Sequence, residues 1–151
     1  MTLYLVQHGQ CLDKETDSNR SLSEEGRVTI IQIAETAVNS GIVVSTIYHS
    51  GKLRALQTAE LFSEYLKTTQ IESVSGLSPL DSVKDFADDF QFTDNTMIVG
   101  HLPFMERLCS YLMTGNQEPA MVKFQNAGIV CLDQDEKNHW YLKWTLMPAI
   151  D

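Results

Sequence analysis

The sequence predicts an α/β fold, a three-layer α/β/α sandwich around a mostly parallel central sheet. Three observations predict it. Short apolar runs alternate with longer stretches of helical spacing, in the order β-α-β-α-β-(α)-β-α-β-β. Two of the runs, Leu3–Val6 and Thr96–Val99, are almost wholly apolar, as strands buried on both faces are. The last two runs alternate apolar and polar residues and lie close together, as the arms of a hairpin do.

Each element has its own justification. Leu3–Val6 is a short buried strand. The polar stretch Asp13–Ser21 is a loop. A helix follows in LSEEGRVTIIQIAETAVNSG: Ser23 is a natural N-cap, Glu24 and Glu25 lie where the helix dipole favours negative charge, and Gly41 is a natural stop. Val28, Ile31, Ala34 and Val38 fall on one face and are expected to face the core. Ile42–His49 is rich in β-branched residues and reads as a strand. LRALQTAELFSEYLK is the next helix, with Leu53, Leu56, Leu61 and Tyr65 among its apolar positions. Ile71–Val74 is a short strand, GLSPLDS is turn-rich and Val83–Phe90 is a short helix. TMIVGH is a second buried strand, and Pro103 suits the first turn of a helix reaching about Met113. AGIVCLD and WYLKWTL form the hairpin, in which Trp140 and Trp144 share one face by alternation and pack in the core.

At 151 residues, one domain over 1–151 is expected. The net charge of −9 argues against a nucleic-acid partner, but a few arginines focused in a cleft can still attract a small anion. No run is long enough for a membrane span, and no secretory leader opens the chain, so the expected location is the cytoplasm, away from membranes. Cys11, Cys109 and Cys131 are odd in number and form no C-x-x-C pair, so neither a disulfide framework nor a zinc knuckle is expected.

In open α/β sheets, ligands bind outside the carboxyl ends of the strands. Of the four histidines, His8, His49 and His101 end predicted strands. Arg54 falls in the first turn of a helix, where free backbone N–H groups already favour an anion, and its guanidinium adds a forked donor suited to phosphate oxygens. Arg20, in the loop SNRSLSEEG, can reach the same rim. No phosphate-cradling G-x-x-x-x-G-K-[ST] loop, G-x-G-x-x-G, H-E-x-x-H or G-x-S-x-G is present. A histidine nucleophile in an arginine-lined cup points to phosphoryl transfer. Taken singly, His8, His49, Arg54 and Gly100-His101 each have an ordinary structural reading; together at one sheet edge they point to chemistry.

Four motifs carry a resemblance. LYLVQHG, LSEEG, SGKLRALQTAE and VGHLP, in that order, resemble the histidine phosphatase (phosphoglycerate mutase-like) superfamily, and within it the small SixA-type phosphohistidine phosphatases that have no cap domain. The resemblance implies that His8 accepts the phosphoryl group, that Gly9 allows close backbone approach, and that Arg54 and His101 bind the phosphoryl group. It further implies that Arg20 lines the pocket, that Ser50 contributes to phosphate binding, and that Gln57 and Thr58 support the fold around it. It implies no metal or organic cofactor, and a monomer. Two departures stand out. Gln7 occupies the position where the family usually has Arg, which keeps two N–H donors and loses the charge; Lys52 and Arg20 are near enough in the motifs to offset it. The acid that protonates the leaving group in larger members has Asp81 as its candidate here, and Asp85 after it. The function implied is removal of phosphate from a phosphohistidine-bearing phosphotransfer protein, damping a signal. The alternatives are a small-molecule phosphomonoesterase of the same fold and a non-catalytic phosphate-binding module, which Gln7 keeps open.

Overall fold

The computed structural model describes residues 1–150. Its elements are β1 (Thr2–Gln7), α1 (Glu24–Asn39), β2 (Thr46–His49), α2 (Leu53–Leu66), β3 (Gln70–Ser73), α3 (Val83–Asp89), β4 (Thr96–Gly100), α4 (Phe104–Thr114), β5 (Ile129–Gln134) and β6 (Trp140–Leu146). One six-stranded sheet has the order β3-β2-β4-β1-β5-β6. The strands β3, β2, β4 and β1 are parallel to one another, while β5 runs antiparallel to β1 and β6 antiparallel to β5. This is the predicted mostly parallel sheet with an antiparallel hairpin at one edge.

Side-chain alternation along β1 divides the interior in two. Tyr4 and Val6 join Ile30 and Ile33 of α1 and Phe62 of α2 on one face. Leu3 and Leu5 join Phe86 of α3 and Phe104 and Leu108 of α4 on the other. Helices therefore cover both faces, which is why the central strands are apolar throughout rather than alternating.

The capping of α1 is as expected: Ser23 Oγ accepts from Gly26 N at 3.0 Å. Its buried face is not. Val28 is 53% exposed and Val38 43% exposed, and the stripe that packs is Gly26, Ile30, Ile33, Ala34 and Ala37. Two overlapping sets of positions fit helical spacing here, and the glycine decides between them. A Cβ on Gly26 would lie 2.1 Å from the carbonyl oxygen of Gln10, so the helix seats its bare side directly on the backbone after β1. In α2 the fully buried positions are likewise small or aromatic, Ala55, Thr58, Ala59 and Phe62, rather than the leucines.

Two further expectations are corrected. The strand expected over 42–49 is confined to Thr46–His49, because Ile42–Ser45 crosses to the sheet as a loop, with Val43 63% exposed and Ser45 N bonded to Asn95 O. Trp140 and Trp144 do not share a face. The register passes from Cys131↔Trp144 to Leu132↔Leu142, so Lys143 is an extra residue that reverses the alternation. Trp144 packs on the α1–α2 side, 6.0 Å from Tyr4, and Trp140 on the α3–α4 side, 5.7 Å from Phe92.

Candidate active site

The strand order β2-β4-β1 makes three strand ends neighbours: His49-Ser50 after β2, Gly100-His101 after β4, and Gln7-His8 after β1. Gln7 stands opposite Gly100 in the register, and His8 N donates to Gly100 O at 2.9 Å. The His8 and His101 rings lie 5.0 Å apart, centroid to centroid. Both side chains are buried, at 9% and 1% exposure.

His8 is held in one tautomer. Its Nδ1 is 2.7 Å from Gly9 O, and a carbonyl only accepts, so Nδ1 carries the proton and Nε2 keeps a free lone pair. Burial, followed by repulsion from Arg54 and Arg20, pushes the His8 pKa down to about 4 although its bond to Gly9 opposes the shift. His101 is pushed to about 3 by burial, then by His8, Arg54, Lys52 and Arg20. Near neutral pH both rings are uncharged, and His8 has the electron pair a nucleophile needs. Ser50 Oγ lies 2.6 Å from His101 Nε2 and accepts Lys52 N at 3.3 Å, which ties the second histidine to the start of α2.

The cations reach the cup from two directions. Arg54 projects from the first turn of α2. Arg20 comes from the loop before α1, where Asp17 accepts from Asn19 N and from Ser21 N and Oγ, and Arg20 itself adopts a left-handed φ of 53°. Its Nη2 lies 3.5 Å from Cys11 Sγ. Among the described residues, no carboxylate pairs with Arg20, Arg54 or Lys52. The Nε atoms of Arg20 and Arg54 are buried with no hydrogen-bond partner, as are Gln7 Oε1 and His101 Nδ1. An unmade bond of this kind costs about 1–3 kcal/mol; the two guanidinium Nε–H donors are groups that an anion satisfies, whereas Gln7 Oε1 is an acceptor that an anion does not serve. A chain of net charge −9 thus carries a locally cationic cup.

His8, Gly9, Gln7, Arg20, Ser50, Arg54 and His101 are thereby brought to one edge. Asp81 makes no hydrogen bond or ion pair with any of them among the described residues. It is exposed in the turn before α3, its Oδ2 accepts from Ser78 N at 2.9 Å, and it borders a separate cavity of about 420 Å³ with Asp85, Asp89 and Phe86. Among the described residues, the charged groups acting on His8 and His101 include no carboxylate. His49 is buried beside the site, where its Nδ1 accepts from Gly51 N at 3.0 Å and shapes the turn into α2.

Asn126 was not legible as a site residue. Its Nδ2 donates to His8 O at 2.9 Å, and Ala127 N donates to Gln7 O at 2.9 Å. The signal lies in the pairing: β5 runs antiparallel to β1, so the residues preceding β5 arrive where β1 ends. Gln57 Oε1 accepts from Leu22 N at 2.8 Å and joins α2 to the start of α1.

Several solved structures share this fold. The protein histidine phosphatase SixA complexed with tungstate is 24% identical, with a TM-score of 0.83 over 98% of this chain and 97% of that one. A SixA-assigned protein of Agrobacterium tumefaciens is 22% identical, with a TM-score of 0.79 over 97% of each chain. Phosphoserine phosphatase from Entamoeba histolytica, in complex with 3-phosphoglyceric acid, is 14% identical, with a TM-score of 0.70 over 96% of each. No curated protein matches the chain. The model of the histidine phosphatase superfamily, branch 1, matches residues 3–85, which hold His8, Arg20, Ser50 and Arg54. With its family model matched over more than half its length, and two neutral histidines in a cup of arginines at its sheet edge, the chain belongs to the histidine phosphatase superfamily.

Proposed function

We propose that this protein is a phosphohistidine phosphatase, which takes the phosphoryl group of a phosphohistidine-bearing phosphotransfer protein onto His8 and releases it to water. One observation carries the reading: a histidine with a free ring nitrogen and the cations meet in a cup where, among the described residues, no carboxylate acts on either histidine. Such a cup suits a substrate whose leaving group needs no acid.

The chemistry balances without one. His8 Nε2 attacks phosphorus and the substrate's P–N bond breaks. A phosphohistidine ring protonated on its other nitrogen departs as neutral imidazole. Arg54, Arg20 and the His101–Ser50 pair stabilise the equatorial oxygens as charge spreads over them. Water then attacks the phosphorus of phospho-His8, and inorganic phosphate leaves. The Nδ1 proton held by Gly9 O lets His8 depart as a neutral ring. An alkoxide leaving group, by contrast, needs the proton that a general acid supplies, a contribution of about 10²–10⁴ in rate.

Gln7 favours one competing reading, a module that binds phosphate without turning it over, since the charge usual at that position is absent. Release of ³²P from a histidine-phosphorylated phosphotransfer domain separates the readings. Turnover faster on that domain than on phosphoserine or 3-phosphoglycerate supports the proposal. Saturable binding with no release makes the protein a binder, and faster turnover of the phosphomonoesters makes it a small-molecule phosphatase.

A further inference from the structure

The link between the nucleophile and the cationic helix is a single buried hydroxyl. Gly9 N donates to Thr58 Oγ1 at 2.9 Å, and Thr58 Oγ1 donates to Arg54 O at 2.7 Å. Neither direction is ambiguous, because an amide N–H only donates and a carbonyl only accepts. Thr58 is fully buried, so no water substitutes for it. On the other side of the same residue, Gly9 O holds the Nδ1 proton of His8.

Position 9 makes this hydroxyl consequential. A Cβ there would lie 2.5 Å from Ile30 Cδ1 and 3.2 Å from Leu22 Cδ2, so α1 packs close against the turn and glycine fits it. Glycine also has the widest backbone freedom of any residue, so the bonds made by the peptide unit before it help to fix its carbonyl direction: Asn126 Nδ2 on His8 O and Thr58 Oγ1 on Gly9 N. The hydroxyl of Thr58 supplies the second of these, and through Arg54 O it ties the turn to the helix that carries the guanidinium.

We infer that Thr58 is a positioning residue, whose hydroxyl sets the orientation of His8 and its distance from Arg54. The inference rests on the proposed role of His8, and its test has an arm that does not. In ¹⁵N-labelled protein, the wild type and Thr58→Ser are expected to show His8 as the Nδ1–H tautomer alone. Thr58→Val, which keeps the shape and removes the hydroxyl, is expected to show a mixture of tautomers. With a histidine-phosphorylated domain as substrate, at a temperature where circular dichroism finds all three proteins folded, Thr58→Val is expected to lower kcat about tenfold or more with KM within about twofold. Thr58→Ser restores kcat. A Thr58→Val protein with a single His8 tautomer overturns the inference, as does equal loss in the serine and valine variants, which would trace the effect to the methyl group. If the wild type turns over no phosphohistidine, the proposed function falls, and the tautomer measurement still decides the role of Thr58.

Discussion

Under the proposed function, substrate preference turns on Gln7. It stands at the end of β1 opposite Gly100, with its Oε1 buried and unpaired, and it adds no charge to a cup that otherwise relies on Arg20, Arg54 and Lys52. A charged donor at such a position is worth about 10²–10³ in rate. Gln7→Arg is therefore expected to raise kcat/KM toward an aryl phosphate at least about tenfold in a steady-state assay. Asp81 makes the opposite case. A general acid contributes about 10²-fold or more, yet Asp81→Asn is expected to leave kcat on phosphohistidine within about twofold, because the carboxylate is engaged by Ser78 N and is not among the charged groups acting on His8. His8, Arg54, His101 and Ser50 were legible because each lies at a strand end or helix start that local pattern fixes. Asp81 borders a separate cavity, and sequence distance from a strand does not say toward which cavity a turn leans. Asn126 was hidden because its contact with His8 spans 118 residues of chain.

Element types were legible from alternation and spacing, while which side of an element faces inward was less so. In α1 the bulky valines suggested one stripe and the sheet selected another, centred on a glycine whose absent side chain lets the helix touch the Gln10 carbonyl. The two faces carry different energetic weight. Ile30→Ala, at a fully buried site, is expected to lose about 2–5 kcal/mol of stability in urea unfolding. Val28→Ala, at a site 53% exposed, is expected to change it by less than about 0.5 kcal/mol. The hairpin teaches the same lesson for strands. The extra Lys143 in β6 sends Trp140 and Trp144 to opposite faces, and no alternation rule foresees a bulge that the partner strand alone reveals.

Across the whole molecule, the sheet places neutral histidines and unpaired cations together at one edge, and pH dependence follows. His8 in the folded protein titrates at about 4 and His101 at about 3, both below the ordinary 6.5. Above pH 6.5 neither ring favours one state over the other. As pH falls through 6.5, the unfolded chain takes up protons that the folded one refuses, so stability declines progressively toward pH 4 and below. Thermal unfolding from pH 8 to pH 4 is expected to show that decline, and replacing His101 by Gln to lessen it. Because His8 stays neutral over the same range, the acid limb of kcat/KM on an aryl phosphate is expected near pH 4 rather than near 6.5.

The central claim is that His8 is the atom-for-atom acceptor of the phosphoryl group. The direct measurement is rapid alkaline quenching of the protein during turnover of a ³²P-labelled phosphohistidine domain, followed by peptide mapping of the label. Phosphate bound to His8 Nε2, absent in His8→Ala and formed fast enough to account for release, is the result predicted. Steady release of phosphate with no label on His8, or with label on another residue, contradicts it.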